Sequence, residues 1–120
     1  MGLTKVTVRL TGLQPKDGAY EAVFLVDTGA TDSLAPGDEL EKIGLAKAGK
    51  ASYELADGTA KEYAYGLVRI EFLGEVTAGR VIFGDKGAEP ILGVTALESV
   101  GIVVDPANKT LHRLPAIPLK

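Results

Sequence analysis

A chain of 120 residues with 46% hydrophobic content reads as one domain, residues 1–120, with enough interior for a core that needs no staples. A net charge of −3 and an isoelectric point near 5.1 give no electrostatic case for a nucleic-acid partner. The absence of cysteine excludes disulfides and thiolate metal sites, and a single histidine, His112, argues against a Ser-His triad or a multi-histidine metal site.

The start, Met1-Gly2-Leu3-Thr4-Lys5-Val6, lacks the apolar block of a signal peptide and has no Ser or Thr at position 6 for myristoylation. No apolar run approaches the ~20 residues of a membrane span. The expectation is a cytoplasmic protein with no membrane partner. Fifteen glycines punctuate short apolar runs, a spacing that suggests an all-β domain. Val6, Val8 and Leu10 alternate with Thr7 and Arg9, a half-buried strand. Gln14 to Gly18 is turn chemistry, and Tyr20 to Val26 reads as a central strand. Asp38 to Glu41 resembles a capping-box helix start with Gly44 as its stop.

Ala51 to Ala56 and Thr59 to Tyr65 then flank Asp57-Gly58, the dipeptide of a two-residue hairpin turn. Leu67 to Leu73 and Val76 to Phe83 form another pair around Gly74-Glu75. Ile91-Leu92-Gly93 follows Pro90, and Thr95 is placed to cap a short helix that Gly101 ends. Ile102 to Val104, a Pro106-Ala107-Asn108 turn and Thr110 to Leu114 make a last hairpin. The tyrosines read as hairpin and core packing, His112 as a surface residue, and Lys42, Lys47, Lys50 and Lys61 as solvated surface.

Within Phe24-Leu25-Val26-Asp27-Thr28-Gly29-Ala30, an apolar strand ends in a carboxylate that costs free energy unless something compensates it. Asp27 is either a turn residue that escapes to water or a group held for chemistry. Asp-Thr-Gly should arise by chance in on the order of 2% of chains this long, too often to carry an assignment alone. Three features sharpen it: the apolar strand before it, the Asp57-Gly58 hairpin, and Ile91-Leu92-Gly93 ahead of a short helix.

This combination, from Phe24 to Gly101, resembles the retroviral-type (retropepsin-like) aspartic peptidases, the single-lobed branch of the pepsin-like clan. The resemblance implies an all-β fold: a closed single-lobe acid-protease barrel with a flap hairpin and one or two short helices. It implies an aspartic endopeptidase acting on polypeptides, with Asp27 catalytic and no metal or organic cofactor. Two adjacent carboxyls that share one proton can activate water and polarise the scissile carbonyl. The chain has one Asp-Thr-Gly, so the second carboxyl is expected from another copy, in a two-fold homodimer with an Asp27 pair on the axis.

By the same resemblance Thr28, Gly29 and Ala30 support the catalytic loop. Asp32, Asp57, Gly58, Ile91 and Leu92 are placed at substrate, with Val26 and Ala30 near the dyad; for Asp32 a turn-capping role is the alternative. Ala30 stands where pepsin-like lobes often carry a hydroxyl, which implies a less acidic pH optimum. Thr31 and Val94 replace an acidic residue and an arginine that pair in viral enzymes, and Glu54, Asp57, Lys61 and Glu62 make the flap more polar than the viral pattern. The rival reading is a non-catalytic peptide-binding or dimerisation module on the same fold.

Overall fold

The computed structural model describes residues 4–105 and 107–119, so Pro106 of the expected 106–108 turn lies outside the described residues. Among them the elements run β1 (Lys5–Gly12), β2 (Ala19–Asp27), β3 (Ser33–Pro36), α1 (Gly37–Lys42), β4 (Gly49–Glu54) and β5 (Ala60–Phe72). They continue as β6 (Glu75–Gly84), β7 (Ile91–Gly93), α2 (Val94–Ser99), β8 (Ile102–Asp105) and β9 (Thr110–Arg113). No helix here is long and apolar enough to cross a membrane.

The strand order β1-β2-β7-β3-β6-β5 closes on itself because β1 also pairs with β5, which makes a six-stranded barrel. Closure leaves these six strands without a free edge, while β4 extends outward from β5 as the end strand of the sheet. The expected all-β closed barrel with short helices is therefore present. Period-two patterning builds it: Val6, Val8 and Leu10 of β1 point inward while Lys5, Thr7 and Arg9 are exposed. Val68, Ile70 and Phe72 of β5 do the same. Phe24, Leu92, Leu97 and Ile102 complete the fully buried centre. In β6 alternation gives way to the buried run Val81-Ile82-Phe83-Gly84, where the strand also pairs with β3.

Several elements differ from the sequence expectation, each for a physical reason. The two expected strands Thr59 to Tyr65 and Leu67 to Leu73 are one continuous β5. Gly66 between them is not a break; a Cβ there would stand 2.8 Å from the Leu45 side chain and 3.0 Å from the Ala46 carbonyl. The Asp57-Gly58 turn is a three-residue loop: the Gly58 N–H donates to the Leu55 carbonyl at 2.9 Å and the Leu55 N–H to the Thr59 carbonyl at 2.7 Å. Gly58 supplies the positive φ of +87° that this turn with its bulge requires.

The β5–β6 turn is centred on Leu73-Gly74, both at positive φ, rather than on Gly74-Glu75. Neither helix is capped by the side chain expected. Asp38 lies inside the first turn of α1 and Thr95 inside α2, with Pro36 and Gly93 at the caps. Gly44 and Gly101 end the helices at positive φ as expected.

Strands β8 and β9 form a separate two-stranded sheet. Thr4 Oγ1 donates to the Lys109 carbonyl at 2.8 Å, and the Leu114 N–H donates to the Gly101 carbonyl at 2.8 Å. His112 is exposed, and its Nε2 meets the Asp105 carboxylate at 3.1 Å.

Candidate active site

Asp27 is the last residue of β2 and pairs with Gly93 in the parallel β2–β7 ladder. The chain then turns tightly. The Ala30 N–H donates to the Asp27 carbonyl at 3.1 Å, and the Gly29 N–H donates to Asp27 Oδ1 at 2.9 Å. A Cβ on Gly29 would stand 3.2 Å from that oxygen, so glycine lets the backbone close on the carboxylate. Asp27 is half-buried, while Thr28 and Gly29 at the apex are exposed.

The loop is fixed from behind by β7 and α2. The Val94 N–H donates to the Ala30 carbonyl at 2.8 Å, and the Thr95 N–H to the Thr31 carbonyl at 3.2 Å. These are helix N-terminal donors that need partners outside the helix. Main-chain bonds thus tie Ala30 and Thr31 to the first two residues of α2, Val94 and Thr95. The Gly93 N–H donates to Ser33 Oγ at 3.0 Å, and Ser33 is 2% exposed. Any Cβ on Gly93 would stand 2.6 Å from the Asp32 carbonyl carbon and 2.7 Å from the Thr31 oxygen. The glycine of Ile91-Leu92-Gly93 is therefore dictated by the close passage of two main chains.

Beside this loop runs an open groove of about 380 Å³. Gly29, Ala30, Thr31 and Asp32 form one wall, Leu34 of β3 and Ile82 of β6 line it, and Tyr53, Glu54, Leu55 and Tyr63 face it from the β4–β5 hairpin. Asp32 is half-buried, and its Oδ2 accepts a 2.7 Å hydrogen bond from the Tyr53 hydroxyl. Partial burial and then the Asp32 carboxylate push the Tyr53 phenol up, and Arg80 opposes them.

The other expected substrate residues are placed differently. Asp57 and Gly58 lie beyond the groove wall, at the hairpin tip. There Asp57 Oδ1 accepts from the Thr59 hydroxyl at 2.6 Å and the Thr59 N–H at 2.9 Å, which holds the Asp57 carboxyl below its usual range. Ile91 is half-buried between Leu25 and Leu34 of the neighbouring strands. Leu92 is a correction: it is completely buried, so it belongs to the core and not to the groove lining. Ser33 and Tyr53 were not singled out from sequence. Ser33 carries no motif, and the Tyr53–Asp32 contact spans 21 residues with no local signal.

A closed barrel with a turn-held aspartate at a strand end, backed by a Gly-ended strand that feeds a helix, is the architecture of a single-lobe acid protease. The aspartyl protease family matches residues 6–96, about three quarters of the chain. The chain belongs to that retropepsin-like family. No curated protein matches the chain. Membership supports aspartic protease activity in general, on polypeptide substrates.

Proposed function

We propose that the chain is an aspartic endopeptidase working as a homodimer, with Asp27 of each copy contributing one carboxyl to a shared dyad. The observation that carries this reading is the setting of Asp27. It ends a barrel strand, its Oδ1 is held by the Gly29 N–H, and the residues that follow it wall the groove. One proton is shared, because like charges about 3 Å apart cannot both ionise. The ionised carboxyl takes a proton from water as the oxygen attacks the scissile carbonyl carbon, and the neutral carboxyl donates to the carbonyl oxygen. The tetrahedral intermediate then collapses as the leaving amine takes the proton that the first carboxyl removed from water, and the second carboxyl regains its proton from a hydroxyl of the intermediate. The pair titrates as a unit, so neither pKa belongs to one residue.

Each chain supplies one Asp-Thr-Gly, which supports assembly across a two-fold. Thr28, exposed at the loop apex, would face its symmetry mate and join the two loops. The β4–β5 hairpin would serve as the flap over an extended polypeptide. Leu34, Leu55 and Ile82 favour an apolar side chain near the scissile bond, with the Glu54 carboxylate at the rim.

The test is cleavage of an unfolded protein by the wild type and by Asp27→Asn. Loss of the acid–base pair should cost at least about a hundredfold in rate. Equal rates sink the reading. Binding of the unfolded chain without cleavage by the wild type would instead establish the binding-module rival. Sedimentation as a monomer at high micromolar concentration would remove the shared dyad. Ala30 has no hydroxyl to favour the ionised carboxylate, so the pH–rate profile should peak in the mildly acidic to neutral range. Ala30→Ser should move its acid limb downward.

A further inference from the structure

The outer part of the β4–β5 hairpin has a weak main-chain footing. Its ladder runs from Gly49↔Tyr65 to Glu54↔Ala60, and β4 is the end strand of the sheet. β5 reaches β6 only from Tyr65 onward. A two-stranded ribbon of this kind is marginal by itself, so side-chain ties decide where it rests. Among the described residues, two side-chain hydrogen bonds or ion pairs within bonding distance join its outer part to other elements. Lys61 Nζ lies 3.5 Å from Asp85 Oδ2 with both side chains well exposed, a geometry worth little.

The other tie is the bond from the Tyr53 hydroxyl to Asp32 Oδ2. At 2.7 Å it is short, charge-assisted and part-buried. The Tyr53 ring sits edge-on to Tyr63 at 6.3 Å. Behind it, Arg80 stacks 4.0 Å over the Tyr65 ring and is near enough to act on the Tyr53 hydroxyl. The Asp32 main chain packs closely against Gly93, with no room for a side chain between them. The bond therefore connects the adjustable wall of the groove to the fixed one.

We propose that Tyr53 is a positioning residue whose hydrogen bond to Asp32 holds the β4–β5 hairpin down along the groove and so sets the affinity for an extended polypeptide. This rests on the reading of the groove as the substrate site. The tie acts on binding, since neither Tyr53 nor Asp32 supplies the proton transfers assigned to the Asp27 pair.

Hydrogen exchange tests the tie without any reference to catalysis. In Tyr53→Phe, which keeps the ring, amides of β4 and the outer part of β5 should exchange about five- to twentyfold faster, while those of β1 and β2 keep their rates. Asp32→Ala should do the same, and the double variant should add nothing to either single change. Asp32→Asn still offers an oxygen and should retain most of the protection. Unchanged hairpin exchange, equal acceleration in β1 and β2, or full additivity overturns the tie.

Affinity is read in the Asp27→Asn background with a fluorescein-labelled unfolded polypeptide. Adding Tyr53→Phe should weaken its Kd about fivefold or more. In the active enzyme the loss in kcat/KM should fall mainly on KM. Faster hairpin exchange with unchanged Kd overturns the role in binding. The expected exchange and Kd changes without any cleavage by the wild type leave the tie standing and remove the peptidase reading.

Discussion

Around Asp27 the ties are main-chain bonds or buried contacts: Gly29 and Ala30 close the turn, Val94 and Thr95 hold it from α2, and Ser33 takes the Gly93 N–H inside the core. Around Tyr53, on the opposite wall of the groove, they are side-chain contacts, one part-buried tyrosine on a carboxylate and one exposed lysine. On the proposed function, the difference is a division of labour. Chemistry needs groups fixed to within a fraction of an ångström, and close-packed main chain supplies that. Admission of a polymer needs a wall that can lift, and a ribbon hung on few polar contacts can do so.

The first way to break the contrast is to spoil the fixed side. Gly93→Ala places a methyl group against two carbonyl groups that have nowhere to go. The expected cost is about 3 kcal/mol of stability, the upper range of core overpacking, read by urea unfolding at matched protein concentration, since dimerisation would add to the apparent value. A loss under about 0.5 kcal/mol, the range of ordinary surface substitutions, would show that this crossing yields.

Ser33→Ala is the next step down. It leaves the Gly93 N–H buried without its hydroxyl partner, at a cost of about 2 kcal/mol. Its effect should be felt at Asp27 through the shared β7 pairing, so activity should fall along with stability.

These two residues also show what was legible beforehand. Asp27-Thr28-Gly29 and Ile91-Leu92-Gly93 stood out through their combined resemblance to a family pattern, and the structure adds the reason for each glycine, the close approach of main chain or carboxylate. The barrel strands could be read because Val6, Val8 and Leu10 alternate cleanly. β3 was not, since four residues ending in Pro36, three of them buried, offer no period. Gly66 misled, because close approach and turning both call for glycine and the sequence does not say which. Leu92 misled in the opposite way, as an apolar residue beside a motif suits a groove or a core equally. The Tyr53–Asp32 tie was out of reach because it joins β4 to the loop before β3, and those two elements do not pair.

The β8–β9 hairpin extends the contrast, since side chains gathered on Asp105 add to its main-chain ladder. His112 first, then Asn108 and the Ala107 and Asn108 N–H groups, pull the Asp105 carboxyl from its ordinary 3.8 down to about 2. A lowered folded-state pKa means the contribution is present above the unfolded value near 4 and is lost as pH falls toward 2. Amide exchange in β8 and β9 should therefore rise between about pH 4 and pH 2, and Asp105→Asn should flatten that dependence. A rise of the same size in Asp105→Asn would assign the acid sensitivity to other carboxylates.

The smallest effect is expected at Lys61. Its ammonium reaches Asp85 at 3.5 Å and lies 4.8 Å over the Tyr63 ring, and both partners pull its pKa up. The side chain is 46% exposed and Asp85 is 75% exposed, so water and salt screen the pair. Lys61→Met keeps the aliphatic stem against Tyr63 and removes the charge. Its urea midpoint should match the wild type, and hairpin exchange should change by less than a factor of about two. A change as large as that from Tyr53→Phe would mean that the hairpin hangs on two comparable ties. The adjustable wall would then respond to ionic strength, because an exposed ion pair weakens as salt rises while a part-buried hydrogen bond barely does. Repeating the exchange measurement at low and high salt separates the two cases.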